Sequence, residues 1–276
     1  MSLLWPDEIR IALCRDRAIL ARIPGRGRNS AAKHIQGCDS AARSDWRPAL
    51  RAAFDALVEL GWRKGRVTFV LSNEFVRYHP VPWHDRLGDE NERMAYARHL
   101  FEEVHGDAVD GWELRVSQEK YRAAGLASAV DRALVESLEA ATRQAGLGLV
   151  SVQPYLMAAF NQWRNAMAGP GCCFVLAERG RLCLALIRGR DWIAVRNLPL
   201  EEDAGLSAMQ ERLDRELFLS GCDSDECGVF VHAPEHPSLA EAISESGKWR
   251  VRLLPAEVAG AGSGPADAQY AMAFQS

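Results

Sequence analysis

Residues 125–163, GLASAVDRALVESLEAATRQAGLGLVSVQPYLMAAFNQW, constrain the fold more than any other part of this chain. They alternate strand, helix, strand, helix, and each boundary carries its own signal. Gly125–Val130 is short, small and apolar, as a buried strand is. Asp131 is placed to cap the next helix, on which Leu134, Leu138 and Ala141 form an i, i+4, i+7 stripe. Gly146 stands just past that helix, where a left-handed residue ends it. Leu147–Val152 reads as the following strand, and Gln153-Pro154 turns the chain into a helix that proline can begin. Leu156, Ala159, Phe160 and Trp163 stripe that second helix. Such alternation makes the chain α/β.

The flanking sequence parses by the same signals. Ile9–Cys14 and Ala18–Ile23 enclose the polar turn Arg15-Asp16-Arg17, which is a hairpin. Residues 25–44 form a loop with room for one edge strand. Trp46–Leu60 is a helix striped by Leu50, Phe54, Leu57 and Val58, and Val67–Val70 is a strand buried on both faces. Phe75-Val76-Arg77-Tyr78 is extended, and Pro80 and Pro82 interrupt it before Trp83. Glu90–Val104 is a helix and Trp112–Val116 an alternating strand. Gly169-Pro170-Gly171 is the clearest punctuation and divides the chain into residues 1–168 and 169–276. Past it come strands Cys173–Ala177, Arg181–Arg188 and Trp192–Asn197. Helix Leu206–Leu219, strand Gly228–His232, helix Leu239–Ser246, strand Trp249–Leu254 and a short helix at Ala266–Phe274 follow. Both halves thus run strands in a meander, then helix, strand, helix, strand. That is the ribonuclease-H-like order, and two copies of it make an actin-like fold.

Composition excludes several classes. The 276 residues are 48% hydrophobic and 25% charged, with a formal net charge of −4, as in ordinary globular proteins and unlike a basic nucleic-acid-binding domain. Arg26, Arg28, Lys33 and Arg43 are a local basic cluster, read as a solvated loop before an anionic-lipid contact. No run approaches the roughly 20 apolar residues of a membrane helix, and MSLLWPDE lacks the features of a secretory signal. The expected location is therefore cytoplasmic, with the seven cysteines reduced. Cys14, Cys172, Cys173 and Cys183 read as small core residues. Cys222 and Cys227 flank an acidic loop without zinc-ligand spacing, so no metal is expected. The histidines make no His-Glu-x-x-His, and neither a phosphate-binding P-loop nor a Gly-x-Ser-x-Gly occurs.

The unit built on Asp131, Ala145-Gly146-Leu147 and Val152-Gln153-Pro154 resembles the middle of the actin-like assembly proteins of bacterial type IV pili and type II secretion systems. These are PilM, the cytoplasmic half of GspL, and relatives from MSHA-type pilus clusters. The resemblance implies a fold of two ribonuclease-H-like subdomains, each a mixed sheet flanked by helices. It also implies a PilN-like inner-membrane partner or another platform protein, and a place at the inner face of the inner membrane reached through that partner. Oligomers are possible, and nucleic acid is not a partner.

Actin-like ATPases hold nucleotide with glycine-bearing hairpins, because backbone N–H groups must approach phosphate where a Cβ would obstruct. The three corresponding loops here depart from that pattern. The first, Arg15-Asp16-Arg17, has no glycine. The second, Glu178-Arg179-Gly180, follows Ala177 where the family's Asp would fall. The third carries Ala233-Pro234 where a glycine pair is expected, and Pro234 lacks a donor. The chain is accordingly expected to need no cofactor and to be a non-enzymatic scaffold. The alternative is an actin-like ATPase or kinase-like protein with divergent loops. Phe75, Tyr78, Pro80, Pro82 and Trp83 are the candidate partner surface, since prolines and aromatics concentrated at a strand end suit peptide capture. Their competing role is to seal a core.

Overall fold

The computed structural model describes residues 6–25, 31–40, 44–85, 89–117, 123–200, 211, 214–216, 218–219, 227–245, 249–255 and 265–275. Arg26, Arg28, Arg43, Tyr121, Cys222, the loop 223–226 and most of the expected helix 206–219 lie outside them. The first strands are β1 (Glu8–Leu13), β2 (Arg17–Ile23), β3 (Ala32–Gly37), β4 (Arg66–Leu71) and β5 (Val76–Val81). Next come β6 (Trp112–Ser117), β7 (Gly125–Asp131), β8 (Gly148–Pro154) and β9 (Gly171–Glu178). The last are β10 (Arg181–Arg188), β11 (Asp191–Pro199), β12 (Cys227–His232) and β13 (Arg250–Leu253). The helices are α1 (Arg47–Glu59), α2 (Glu90–His105), α3 (Arg132–Gln144), α4 (Tyr155–Trp163), α5 (Pro237–Glu245) and α6 (Ala271–Phe274).

The chain divides into two compact units, both discontinuous in sequence. The first comprises Met1–Val76, Asp131–Asn161 and Ala256–Ser276. Its sheet has the order β3-β2-β1-β4-β8. β1, β2 and β3 pair antiparallel, while β4 pairs parallel with β1 and β8. β1 lies at the centre; Ile9 and Ile11 alternate with the partly buried Arg10, and Ile11, Ala12 and Leu13 at its end are fully buried on both faces. α1 buries Ala49, Ala52, Ala53, Ala56 and Leu57, whereas Val58 is exposed. The expected stripe was therefore rotated: the alanine face is the buried one, because small side chains let a helix lie close to its neighbours. On α3 the buried residues are Leu134, Leu138 and Thr142, with Thr142 in place of the expected Ala141. Its hydroxyl donates to the Leu138 carbonyl at 2.6 Å, which satisfies the polar group in the core.

Asp131 caps α3, accepting from the Ala133 amide at 2.9 Å, and its other oxygen accepts from the buried Trp46 indole at 3.0 Å. Gly146 ends the helix with φ 71°. Gly65 is the position that most requires glycine. Its φ is 147°, and a Cβ there would come within 2.8 Å of the Asp7 carbonyl.

The second unit comprises Arg77–Val130 and Gln162–Pro255. It holds a five-stranded sheet of order β11-β10-β9-β12-β13 and a three-stranded sheet of order β5-β7-β6. β9, β10 and β11 pair antiparallel, and β12 pairs parallel with β9 and β13, repeating the first sheet's plan. Its core joins Cys173, Val175, Leu182, Leu184, Val229 and Val231 to Leu239 and Ile243 of α5. The three-stranded sheet packs on α2 through Val81, Ala97, Phe101, Leu114, Ala127 and Ala129. The described residues thus form three sheets, and no sheet runs through both halves. The simple meander expected of the first half is corrected in one respect: residues 76–130 build a separate small sheet inserted between β4 and α3. No described helix is long and apolar enough to cross a membrane.

Candidate functional site

The candidate surface begins where β4 ends. Ser72 caps a single 3-10 turn, Asn73–Phe75, by accepting from the Glu74 amide at 3.1 Å. Phe75 belongs to that turn and is buried. The expected extended run therefore starts one residue later, because the Ser72 cap and the Phe75 amide bond to the Ser72 carbonyl close a turn first. The expected break at Pro80 does not occur, since β5 continues through Pro80 to Val81. β5 is an edge strand, and an edge tolerates proline where an interior strand would lose a ladder hydrogen bond.

Successive strand residues direct their N–H and C=O groups to opposite edges. Pro80 and Pro82 therefore fit only with their nitrogens on the open side, which Tyr78 shares. Consistent with this, the Pro80 carbonyl accepts from His79 Nδ1 at 2.7 Å. The Val76 amide is already engaged by the Asn73 carbonyl, and Pro80 and Pro82 have no N–H to offer.

Tyr78, Pro80 and Trp83 are half-buried and Pro82 is exposed. Pro82 and Trp83 line a shallow pocket whose apolar floor includes Val81, Val116 and Ala123 and whose rim includes His84 and Arg93. Trp83 donates from its indole to Asp85 at 3.3 Å. The fold thus brings Pro82 and Trp83 together with residues of α2, β6 and β7 that sequence inspection did not connect with them. Arg93 and Val116 lie far off in sequence and carry no motif. The pocket's flank is fixed to β11 by two bonds. The Ala124 amide donates to the Asp191 carboxylate at 2.7 Å, and the Trp192 amide donates to the Ala124 carbonyl at 3.4 Å.

On the α2 side of the same sheet a cluster of rings closes the core. His105 lies 5.0 Å from Trp112 and 6.1 Å from Phe101, His79 lies 5.9 Å from Phe101, and Arg77 stands 6.0 Å over Trp112. Burial lowers the His105 pKa, and the charges of Arg77 and His79 lower it further.

The three loops of the nucleotide pattern are closed on themselves. In the first, the Cys14 amide donates to the Arg17 carbonyl at 2.9 Å and the Asp16 carbonyl accepts from Cys38 at 2.8 Å. Arg15 is exposed there, while Arg17 is buried. In the second, Glu178 is buried, Arg179 is exposed, and Gly180, with φ 78°, makes the tight turn between β9 and β10. Its carbonyl accepts from Leu200 at 3.0 Å. In the third, Ala233 is buried, its carbonyl accepts from the His236 amide at 3.0 Å, and Pro234 has no N–H to offer. His232 beside it is fully buried, 5.9 Å from the Trp163 ring. Among the described residues no group of His, Cys, Asp and Glu could hold a metal ion.

No protein-family model and no curated protein matches the sequence. Solved structures do match over nearly the whole chain. The PilM-PilN type IV pilus biogenesis complex matches with TM-score 0.69 and 16% identity, over 97% of this chain and 96% of that chain. A protein from Bacteroides thetaiotaomicron with an actin-like ATPase fold and unknown function matches with TM-score 0.63 and 8% identity, over 91% of each chain. The cytoplasmic domain of EpsL, an inner-membrane component of the type II secretion system of Vibrio cholerae, matches with TM-score 0.57 and 10% identity, over 98% of this chain and 95% of that chain. Identities this low speak to architecture, and the architecture is clear: this chain has the actin-like fold of the PilM and EpsL type.

Proposed function

We propose that this chain is a non-catalytic scaffold of a type IV pilus or type II secretion assembly platform. In this reading it stands on the cytoplasmic side of the inner membrane and is held there by the cytoplasmic tail of a PilN-like protein. The observation that supports it most is the whole-length likeness in fold to a protein of the PilM-PilN complex. The loops at Arg15–Arg17, Glu178–Gly180 and Ala233–Pro234 favour a scaffold over an ATPase, because the first has no glycine to let phosphate approach the backbone and Pro234 in the third offers no N–H. In this reading the two ribonuclease-H-like halves divide in sequence at residues 1–168 and 169–276, while the compact units assign 77–130 to the second unit and 256–276 to the first.

The partner surface in this proposal is Tyr78, Pro80, Pro82 and Trp83. Phe75 shapes the start of the strand from inside the core. A ring anchored in an interface contributes about 2 kcal/mol or more, roughly a thirtyfold change in affinity. Tyr78→Ala and Trp83→Ala should therefore weaken capture by an immobilised PilN-like tail by tenfold or more, with thermal unfolding nearly unchanged. A melting temperature lowered by many degrees with capture intact would return both residues to the core and remove this surface from the proposal.

A further inference from the structure

At the end of the first sheet where β1 and β4 begin, the chain turns through residues 58–66, VELGWRKGR. They hold three cations and one acid in a protein whose net charge is −4. The turn is held from behind. Trp62 is buried, and its amide donates to the Leu57 carbonyl at 3.0 Å. The Arg66 amide donates to the Asp7 carbonyl at 3.0 Å, and the Gly65 carbonyl accepts from the Gly148 amide at 3.1 Å. Arg63, Lys64 and Arg66 are left exposed, as are Val58 at 64% and Leu60 at 37%. Arg143, in the last turn of α3, is exposed on the helix that leads to Gly148.

Elsewhere the chain compensates its cations. Arg10 pairs with Glu8, Arg22 with Asp7, Lys33 with Asp267, Arg115 with Glu113 and Arg196 with Glu216. Glu8, the register partner of Arg66, is thereby already engaged. Among the described residues the side chains of Arg63, Lys64 and Arg66 make no ion pair or hydrogen bond, not even with Glu59 of the same stretch. Cations past a helix C-terminus offset its carbonyl dipoles. That accounts for Arg63 and Lys64, and it leaves two aliphatic side chains in water beside them without a reason. We infer that this end of the first unit contacts an anionic lipid surface. Arg63, Lys64 and Arg66 meet the headgroup phosphates, and Val58 and Leu60 reach the acyl boundary. A bilayer supplies both counterparts in one plane, spread negative charge and an apolar layer beneath it. A purely ionic partner would meet the cations and leave Val58 and Leu60 wet. Because the turn is already fixed, little ordering is needed to present these side chains. The contact is weak alone, about fivefold in partition per cation, and it adds to any other hold on the membrane. It does not rest on the surface at Tyr78 and Trp83.

The test is flotation of the full chain with excess vesicles, of phosphatidylcholine alone or mixed equally with phosphatidylglycerol. Wild type should float with the anionic vesicles at low salt, not with the neutral ones, and salt should release it. Arg63→Glu, Lys64→Glu and Arg66→Glu together should weaken partition by about a hundredfold or more. Arg188→Glu, Arg190→Glu and Arg250→Glu reverse three cations exposed elsewhere and reach the same net charge, so partition should change by no more than about threefold. Val58→Ser with Leu60→Ser should weaken flotation by about tenfold and leave binding to soluble polyglutamate unchanged. If the triple variant does not fold, Lys64→Glu alone should lose about tenfold or more. No flotation of wild type at low salt, equal flotation with neutral vesicles, or equal loss in the two triple variants overturns the proposal. Flotation unchanged by the serine pair overturns the apolar contact and with it the lipid assignment. Binding of wild type to polyglutamate without flotation overturns it in favour of an acidic protein segment.

Discussion

Asp131→Ala should loosen two elements together. One carboxylate oxygen caps α3 through the Ala133 amide, and the other accepts from the indole of Trp46, which is 5% exposed just ahead of α1. Losing an N-cap costs about 1 kcal/mol. A buried donor left without an acceptor costs about 1–3 kcal/mol more. The expected loss is thus about 2–4 kcal/mol, a large part of the roughly 5–15 kcal/mol that holds a domain folded. Asp131→Asn keeps one acceptor for the cap and loses the charge, so it should lie between wild type and alanine. The assay is urea unfolding by circular dichroism for Asp131→Ala, Trp46→Phe and the double variant, with amide exchange to locate the loosening. Trp46→Phe removes the stranded donor, so the double variant should be less destabilised than the sum of the singles by about 1 kcal/mol or more. Simple additivity, or a loss below about 0.5 kcal/mol for alanine, would mean that the two hydrogen bonds do not join α1 to α3.

Burial holds His232 neutral, its pKa pushed down to about 4 although a backbone hydrogen bond to Leu254 acts the other way. The unfolded chain takes the proton first, so this contribution is complete above pH 6.5 and lost as pH falls toward 4, by about 1.4 kcal/mol per unit and roughly 3 kcal/mol in all. Urea midpoints compared between wild type and His232→Phe at pH 7, 5.5 and 4.5 should converge on acidification, and a constant gap would contradict it. Gly65→Ala forces a strained φ and a 2.8 Å contact with the Asp7 carbonyl, so it should cost about 2 kcal/mol or more, whereas Gly37→Ala, with open space around it, should cost little. Equal melting temperatures for the two variants would refute that account. Calorimetry with millimolar ATP and Mg²⁺ should give no clear heat, and a micromolar dissociation constant would revive the nucleotide-binding alternative.

Much of the fold could be read from local signals because those signals were strong and independent. Asp131, Gly146 and the Leu134–Leu138 pair fixed α3 almost to the residue. The expected strands Cys173–Ala177, Arg181–Arg188 and Trp192–Asn197 fall within β9, β10 and β11. The small sheet was illegible, since β5, β7 and β6 are adjacent only in space and nothing in their composition says which sheet they join. The buried face of α1 was misjudged because hydrophobicity ranks Leu50 and Phe54 above alanine, whereas close packing favours Ala49, Ala53 and Ala56. The candidate surface was half legible. Prolines and a tryptophan mark a strand end, but no sequence pattern points from Trp83 to Arg93 or Val116.

The prolines that drew attention to β5 also limit how it can be used. An extended peptide adding to this edge would find the Val76 amide engaged by the Asn73 carbonyl and no N–H at Pro80 or Pro82. Two other described edges are guarded by charge. β6 carries Glu113 and Arg115, paired at 2.9 Å, and β13 presents Arg250 and Arg252. Such devices suppress indiscriminate strand pairing. Recognition at β5 therefore has to rest on side chains, with Tyr78 and Trp83 supplying rings and the pocket beside Pro82 supplying shape. Substitution of Pro80 by alanine tests that order of importance. It restores one edge donor and leaves both rings in place. If side chains carry recognition, the new donor goes unused and partner affinity should hold within about threefold, whereas a backbone hydrogen bond to the partner, worth about 0.5–1.5 kcal/mol, would raise it up to about tenfold. A tenfold gain would show that the partner adds as a strand and that the prolines restrain it.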